Sequence, residues 1–188
     1  MATMIAAMKK RLRSGLTDQD RLSPSALASP ISEARLALDE AELGFALPDD
    51  LRQLYLKIAN GGFGPGYGLI GLSGGKPDDT GKTANQIYLL FRGNDSDDPA
   101  WLWPVGLLPI CYWGCAIYSC IDCSDRAFRM RIFDPNAHVS CDTWDDAFFE
   151  ECDSFSDWIS AWCGGVDLWD RMYGDNGRIK QRRAAQSN

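Results

Sequence analysis

Apolar residues recur at helical spacing in three stretches of the first half of the chain, and strand-like patterning takes over near residue 107. In ISEARLALDEAELG, Ile31, Ala34, Leu38 and Ala41 share one helical face, and Gly44 is placed to stop the helix. The clearest local signal is LPDDLRQLYLKIANGG. Pro48 suits a first helical position, Asp49 and Asp50 complement the helix dipole, and Leu51, Leu54, Tyr55 and Ile58 form one apolar stripe. Asn60-Gly61-Gly62 ends it, because glycine accepts the left-handed conformation that closes a helix. FGPGYGLIGL then reads as an irregular loop entering a short strand, and a third helix is predicted from Thr83 to Phe91 with Ile87, Leu90 and Phe91 facing inward.

Beyond the acidic turn GNDSDDP, LLPICYWGCAIYSCIDCS and RAFRMRIFDPN are expected to pair as strands joined around Ser124-Asp125. Phe128, Met130 and Ile132 alternate with Arg129 and Arg131, which predicts one buried sheet face and one wet face. Asp134-Pro135-Asn136 makes a turn. Ser154 then caps FSDWISAWCGG, whose Phe155, Trp158, Ile159 and Trp162 form an aromatic stripe suited to covering the sheet. The order points to an α+β fold with N-terminal helices, a central antiparallel β-sheet and a C-terminal helix packed on the sheet.

A chain of 188 residues, 45% hydrophobic and 24% charged, suits one domain. The expected organisation is a basic, loosely ordered leader over 1–30, a single domain over 31–173 and a basic tail over 174–188. The apolar runs fall short of the roughly 18 residues that span a bilayer, and MATMIAAMKKRLR reverses the charge order of a secretory signal. A cytoplasmic protein with no membrane contact is expected.

Charge is unevenly placed. Lys9, Lys10, Arg11 and Arg13 near the start and Arg178, Lys180, Arg182 and Arg183 near the end supply eight of the 19 basic residues. The 14–177 body keeps 11 basic residues against all 26 acidic ones, a balance of −15. From Cys141 to Asp170 there are nine acidic residues and no basic one. Such a block solubilises a surface, and it also suits docking of a basic partner, because complementary potential steers encounter. Asp142, Trp144, Asp145, Asp146, Glu150, Glu151, Asp153 and Asp157 are the candidate partner-binding residues, with exposed members of Trp144, Phe148 and Phe149 as apolar anchors. Glycine-rich Gly61 to Tyr67 is a second candidate rim.

Other chemistries are poorly supported. GKPDDTGKT ends like a phosphate-binding loop, yet Lys76 stands where the first glycine belongs, and Asp78 and Asp79 put negative charge where phosphate would sit. Seven cysteines include Cys111, Cys115, Cys120 and Cys123, but Cys120 and Cys123 on one strand would point to opposite faces, so buried thiols are expected and no metal or other cofactor. His138 could serve a thiol nucleophile, but no local motif singles out one cysteine. Net charge of −7 disfavours direct nucleic-acid binding.

Taken in order, LGFALPDDLRQLYLKIANGG, GLLPICYWGCAIYSCIDCS, FDPN and SFSDWISAWCGG resemble the pattern of the SUKH superfamily, the Smi/Knr-type fold, from about Ile31 to Trp169. The resemblance implies a non-enzymatic binding role. Bacterial members are mostly immunity proteins of polymorphic and contact-dependent toxin systems that bind a cognate toxin domain, often a nuclease, and fungal relatives act as regulatory scaffolds. The partner implied here is therefore a basic toxin domain whose active or substrate-binding surface is occluded. A regulatory scaffold or zinc-stabilised adaptor is the alternative. The partner surface is the part of such a fold that varies most between members.

Overall fold

The computed structural model describes residues 2–14, 27–93, 98–139, 142–174 and 179–180. Three helices lead into the domain: α1 (Ala2–Leu12), α2 (Glu33–Leu43) and α3 (Asp49–Lys57). The leader expected to be loosely ordered thus carries a helix. Its Met8 is fully buried and Arg11 lies over the Trp162 ring at 5.0 Å, so apolar burial and a cation–π contact hold it down. The rest of the proposed leader, 15–26, and most of the proposed tail lie outside the described residues.

α2 is capped as expected, by the Ser32 side chain at its start and by left-handed Gly44 at its end. Its buried face differs from the sequence expectation: Leu36, Asp39 and Leu43 point inward, and Leu38 is 61% exposed. A buried polar network explains the rotation. Asp39 accepts hydrogen bonds from Arg35, from the Ser73 backbone N–H and from the Ser73 hydroxyl, a set worth more than one more aliphatic contact. In α3, Leu51, Leu54 and Tyr55 are buried, and Pro48 sits at the N-cap, one position earlier than expected. Tyr55 donates its hydroxyl to the Ile70 carbonyl at 2.6 Å. Burial pushes that phenol far above its usual range.

The loop after α3 is glycine-rich because its backbone packs on itself. A Cβ on Gly71 would lie 2.3 Å from the Asn60 carbonyl oxygen, and one on Gly61 would lie 2.5 Å from the Gly71 nitrogen. Asn60 locks the two passes together by donating to the Leu72 and Ser73 carbonyls and accepting from the Leu72 N–H. Helix α4 (Ala84–Arg92) starts with a capping box of Thr83 and Gln86. It buries Ile87 and Tyr88 and leaves Leu90 50% exposed, so Leu90 does not face inward as the spacing suggested.

The sheet has four antiparallel strands in sequential order: β1 (Leu107–Gly114), β2 (Ile117–Asp122), β3 (Met130–Phe133) and β4 (Phe148–Cys152). The segment LLPICYWGCAIYSCIDCS, expected to form a single strand, holds a hairpin. Cys115 and Ala116 form its two-residue turn with φ of 51° and 60°, the sign pattern of a type I′ turn. β4 lies inside the acidic block, where no strand was expected.

Both sheet faces are covered, which corrects the expectation of a wet face. Phe91 of α4 touches Tyr118 and Phe133, and Trp103 touches Phe148, so one face packs on α4 and the Trp101–Trp103 loop. Residues of opposite parity meet helix α5 (Phe155–Cys163), where the Trp158 indole donates to Glu151. Arg131 is only 15% exposed and pairs with buried Asp122 at 3.0 Å. α5 begins at the expected Ser154 cap and buries Phe155, Trp158, Ile159 and Trp162. A short α6 (Leu168–Met172) follows. Among the described residues no helix is long and apolar enough to cross a membrane.

Candidate partner-binding site

The eight candidate residues separate by burial. Asp142, Asp145, Glu150, Asp153 and Asp157 are exposed, and Trp144 is half-buried. Asp146 and Glu151 are buried, so these two carboxylates do not face a partner. A single 3-10 turn (Asp145–Ala147) aims Asp146 inward, where Oδ1 lies 2.6 Å from His138 Nδ1 and Oδ2 accepts from the Val139 N–H at 2.9 Å. Strand alternation aims Glu151 at α5. Burial pushes the Glu151 carboxyl up to about 7, against the easing effect of the Trp158 indole, of Ser119 and of Arg171. Phe148 and Phe149, proposed as anchors, are buried on the two faces of the sheet.

Around Trp144 the structure builds a groove of about 450 Å³, with Phe91, Trp101, Leu102 and Trp144 among its walls and Asp142 and Asp145 at its edge. Trp101 and Trp144 meet edge to face with centroids 5.0 Å apart, and His138 stacks on Trp144 at 3.9 Å. The Trp144 indole N–H donates to Asp98 Oδ2 at 2.7 Å. That bond and one from the Ala100 N–H hold the Asp98 carboxyl below its usual range, so it stays charged at neutral pH. Leu102 is 74% exposed and Val105 65% exposed, which places two large apolar side chains in water close along the chain from Trp101.

A family model described as SMI1 / KNR4 family (SUKH-1) matches residues 30–161. The chain belongs to that family. No curated protein matches the chain. The SUKH-1 match runs from just before α2 almost to the end of α5, so the groove and all eight candidate residues fall inside it, while α1 and α6 fall outside.

Within this SUKH-1 domain the exposed candidate carboxylates lie before, on and after β4, with Glu150 on the strand itself. β4 has five residues, about 17 Å at the usual rise per residue, and it separates Asp142 and Asp145 from Asp153 and Asp157. The set after β4 is partly structural: the Ser154 hydroxyl accepts from the Asp157 N–H and donates to its carboxylate, closing the first turn of α5.

The glycine-rich rim does not form a contact loop. Residues 61–66 are buried and only Tyr67 is exposed. The GKPDDTGKT loop is held against the sheet by hydroxyls, with Tyr118 donating to Asp78 and Tyr112 to Asp79. Burial and the Asp79 carboxylate push the Tyr112 hydroxyl up to about 12. The four clustered cysteines spread along the hairpin, Cys115 at its tip and Cys123 past its open end, and no metal-holding group of His, Cys, Asp or Glu occurs among the described residues. A second hollow of about 700 Å³ lies between α1 and the end of α5, bordered by Lys10, Arg11, Asp50 and Cys163. Sequence reasoning missed Trp101, Leu102 and His138 as neighbours of Trp144. The acidic turn before Trp101 was visible, but nothing in a single sequence ties that loop to residues forty positions later.

Proposed function

We propose that this protein is a cytoplasmic, non-enzymatic immunity protein whose domain, residues 31–173, binds a cognate toxin domain and covers its active or substrate-binding surface. The observation that carries this reading is membership in the SUKH-1 family over residues 30–161, since that superfamily resemblance implies immunity in bacterial members. The exposed side chains supply suitable chemistry. Asp142 and Asp145 stand in solvent close to half-buried Trp144, Glu150 is exposed on β4, and carboxylates of this kind complement a protein surface made basic to hold phosphate. A nuclease domain is the toxin type that fits best.

Co-expression tests the reading. A toxin domain encoded beside this protein is expressed in cells with and without it, growth is scored, and complexes are recovered by pull-down. Rescue with a one-to-one complex is expected. Persistent toxicity with both proteins soluble sinks immunity against that toxin.

A further inference from the structure

The groove beside α4 presents acceptors and ring surface, its indole N–H donors are engaged within the protein, and its two carboxylates outnumber its one cation, Arg92. Trp144 donates to Asp98 at 2.7 Å, Trp101 to the Phe91 carbonyl at 2.8 Å and Trp103 to the Leu107 carbonyl at 2.7 Å. Arg92, the basic residue of the lining, gives one N–H to the Trp103 carbonyl at 2.6 Å and keeps its charge, which Asp142 and Asp145 together outweigh. With the N–H edges committed, partly exposed Trp101 and Trp144 offer ring surface, whose faces attract cations, although His138 takes one face of Trp144 and Trp103 is buried. Asp142 and Asp145 are exposed at the edge, and each carboxylate has several lone-pair sites for further donors.

A ligand matched to this lining brings N–H donors, positive charge and an aliphatic portion. An arginine or lysine side chain has all three, since its methylene stem lies along apolar surface while its head reaches a carboxylate. An acidic segment meets like charge, and a purely apolar one strips water from the two carboxylates without replacing it.

We propose that the groove receives a segment of the partner in which an arginine or lysine sits next to an aliphatic residue, the cation between the Trp101–Trp144 walls and Asp142/Asp145, the aliphatic neighbour on Leu102. The identification of that partner as a toxin domain rests on the immunity reading; the chemistry of the segment does not.

The test has two arms, both on the full chain. In the first, the protein is titrated with capped hexapeptides Ser-Leu-Xaa-Leu-Gly-Ser, where Xaa is arginine, glutamate or norleucine, while the indole N–H signals of tryptophan are followed by NMR. The arginine peptide shifts the Trp101 and Trp144 signals, and its binding weakens at least about threefold on raising salt from about 50 to about 300 mM. The Asp142→Lys/Asp145→Lys variant loses the response, and Leu38→Asp, on exposed α2 surface, keeps it. Equal binding of the glutamate peptide, or no shift with arginine, overturns the proposal. In the second arm, Leu102→Asp and the double lysine variant lower affinity for the toxin domain by about tenfold or more. Unchanged affinity there removes the groove as the docking site and leaves immunity standing. Failure of the unmodified protein to bind the toxin removes the immunity reading, and the peptide arm still decides the groove.

Discussion

Glu151→Gln tests the electrostatics of the core directly. Glu151 lies in β4, buried against α5, where Oε1 accepts from the Trp158 indole and Oε2 is buried without a hydrogen-bond partner among the described residues. Burial lifts this carboxyl from the ordinary 4.5 to about 7. The sign follows from linkage. The folded state holds the proton more tightly than the unfolded chain, so Glu151 costs nothing below about pH 4.5, and its cost grows as pH rises through the window from 4.5 to about 7. Above that window the cost is constant at about 3 kcal/mol. Glutamine keeps the acceptor for Trp158 and removes the charge, so the variant equals the parent near pH 4.5 and is more stable at pH 8. With an m-value of about 2 kcal/mol/M, the urea midpoint at pH 8 rises by about 1 to 1.5 M. Urea titrations of both proteins at several pH values give the answer, because the other titrating groups are common to both and cancel in the difference. A pH-independent difference, or a less stable variant at pH 8, refutes the reasoning.

Three further outcomes follow from the packing. Asp39→Ala strips four charge-assisted hydrogen bonds from the join between α2 and the Ser73 turn, and lowers stability by about 2–3 kcal/mol in denaturant titration. Gly71→Ala forces a methyl group onto the Asn60 carbonyl and the Lys76 nitrogen, both backbone, and lowers the melting temperature by roughly 5–10 °C, corresponding to about 2–3 kcal/mol. Replacing Cys115-Ala116 with Asn-Gly relieves two non-glycine residues held at positive φ and raises stability by about 1 kcal/mol.

Helices were legible where spacing and caps agreed. α3 and α5 show the expected stripe, and Gly44, Thr83 and Ser154 stand at the predicted ends. The α2 face was misjudged because the pattern ranks Leu38 above an aspartate, whereas Asp39 is buried on partners supplied from residue 73. The β1–β2 turn was invisible because neither Cys115 nor Ala116 advertises a left-handed conformation; the Asn136 side chain, donating to the Cys115 carbonyl at 3.0 Å, helps hold it. β4 escaped detection because Phe148-Phe149-Glu150-Glu151 does not alternate. Both aromatics are buried, one on each face, and of the two glutamates one faces water and one the core.

That last point bears on how an acidic segment should be read as a surface. Nine carboxylates in thirty residues look like one field, yet Asp146 and Glu151 serve the interior and Asp157 closes the turn that starts α5. What remains exposed is spread out, with Asp142 and Asp145 before β4, Glu150 on it, Asp153 after it, and Asp167 and Asp170 beyond α5. Exposed charges a Debye length apart are largely screened at cellular salt, so scattered carboxylates speed encounter more than they hold a complex. Holding requires buried apolar contact near the charge. Only the Asp142/Asp145 group lies against aromatic walls, with Leu102 exposed alongside, whereas the Asp153/Asp157 group sits on the polar start of a helix. On the proposed reading the two ends of β4 therefore divide the work: charge reversal at Asp153 slows association, and reversal at Asp142 and Asp145 also hastens dissociation.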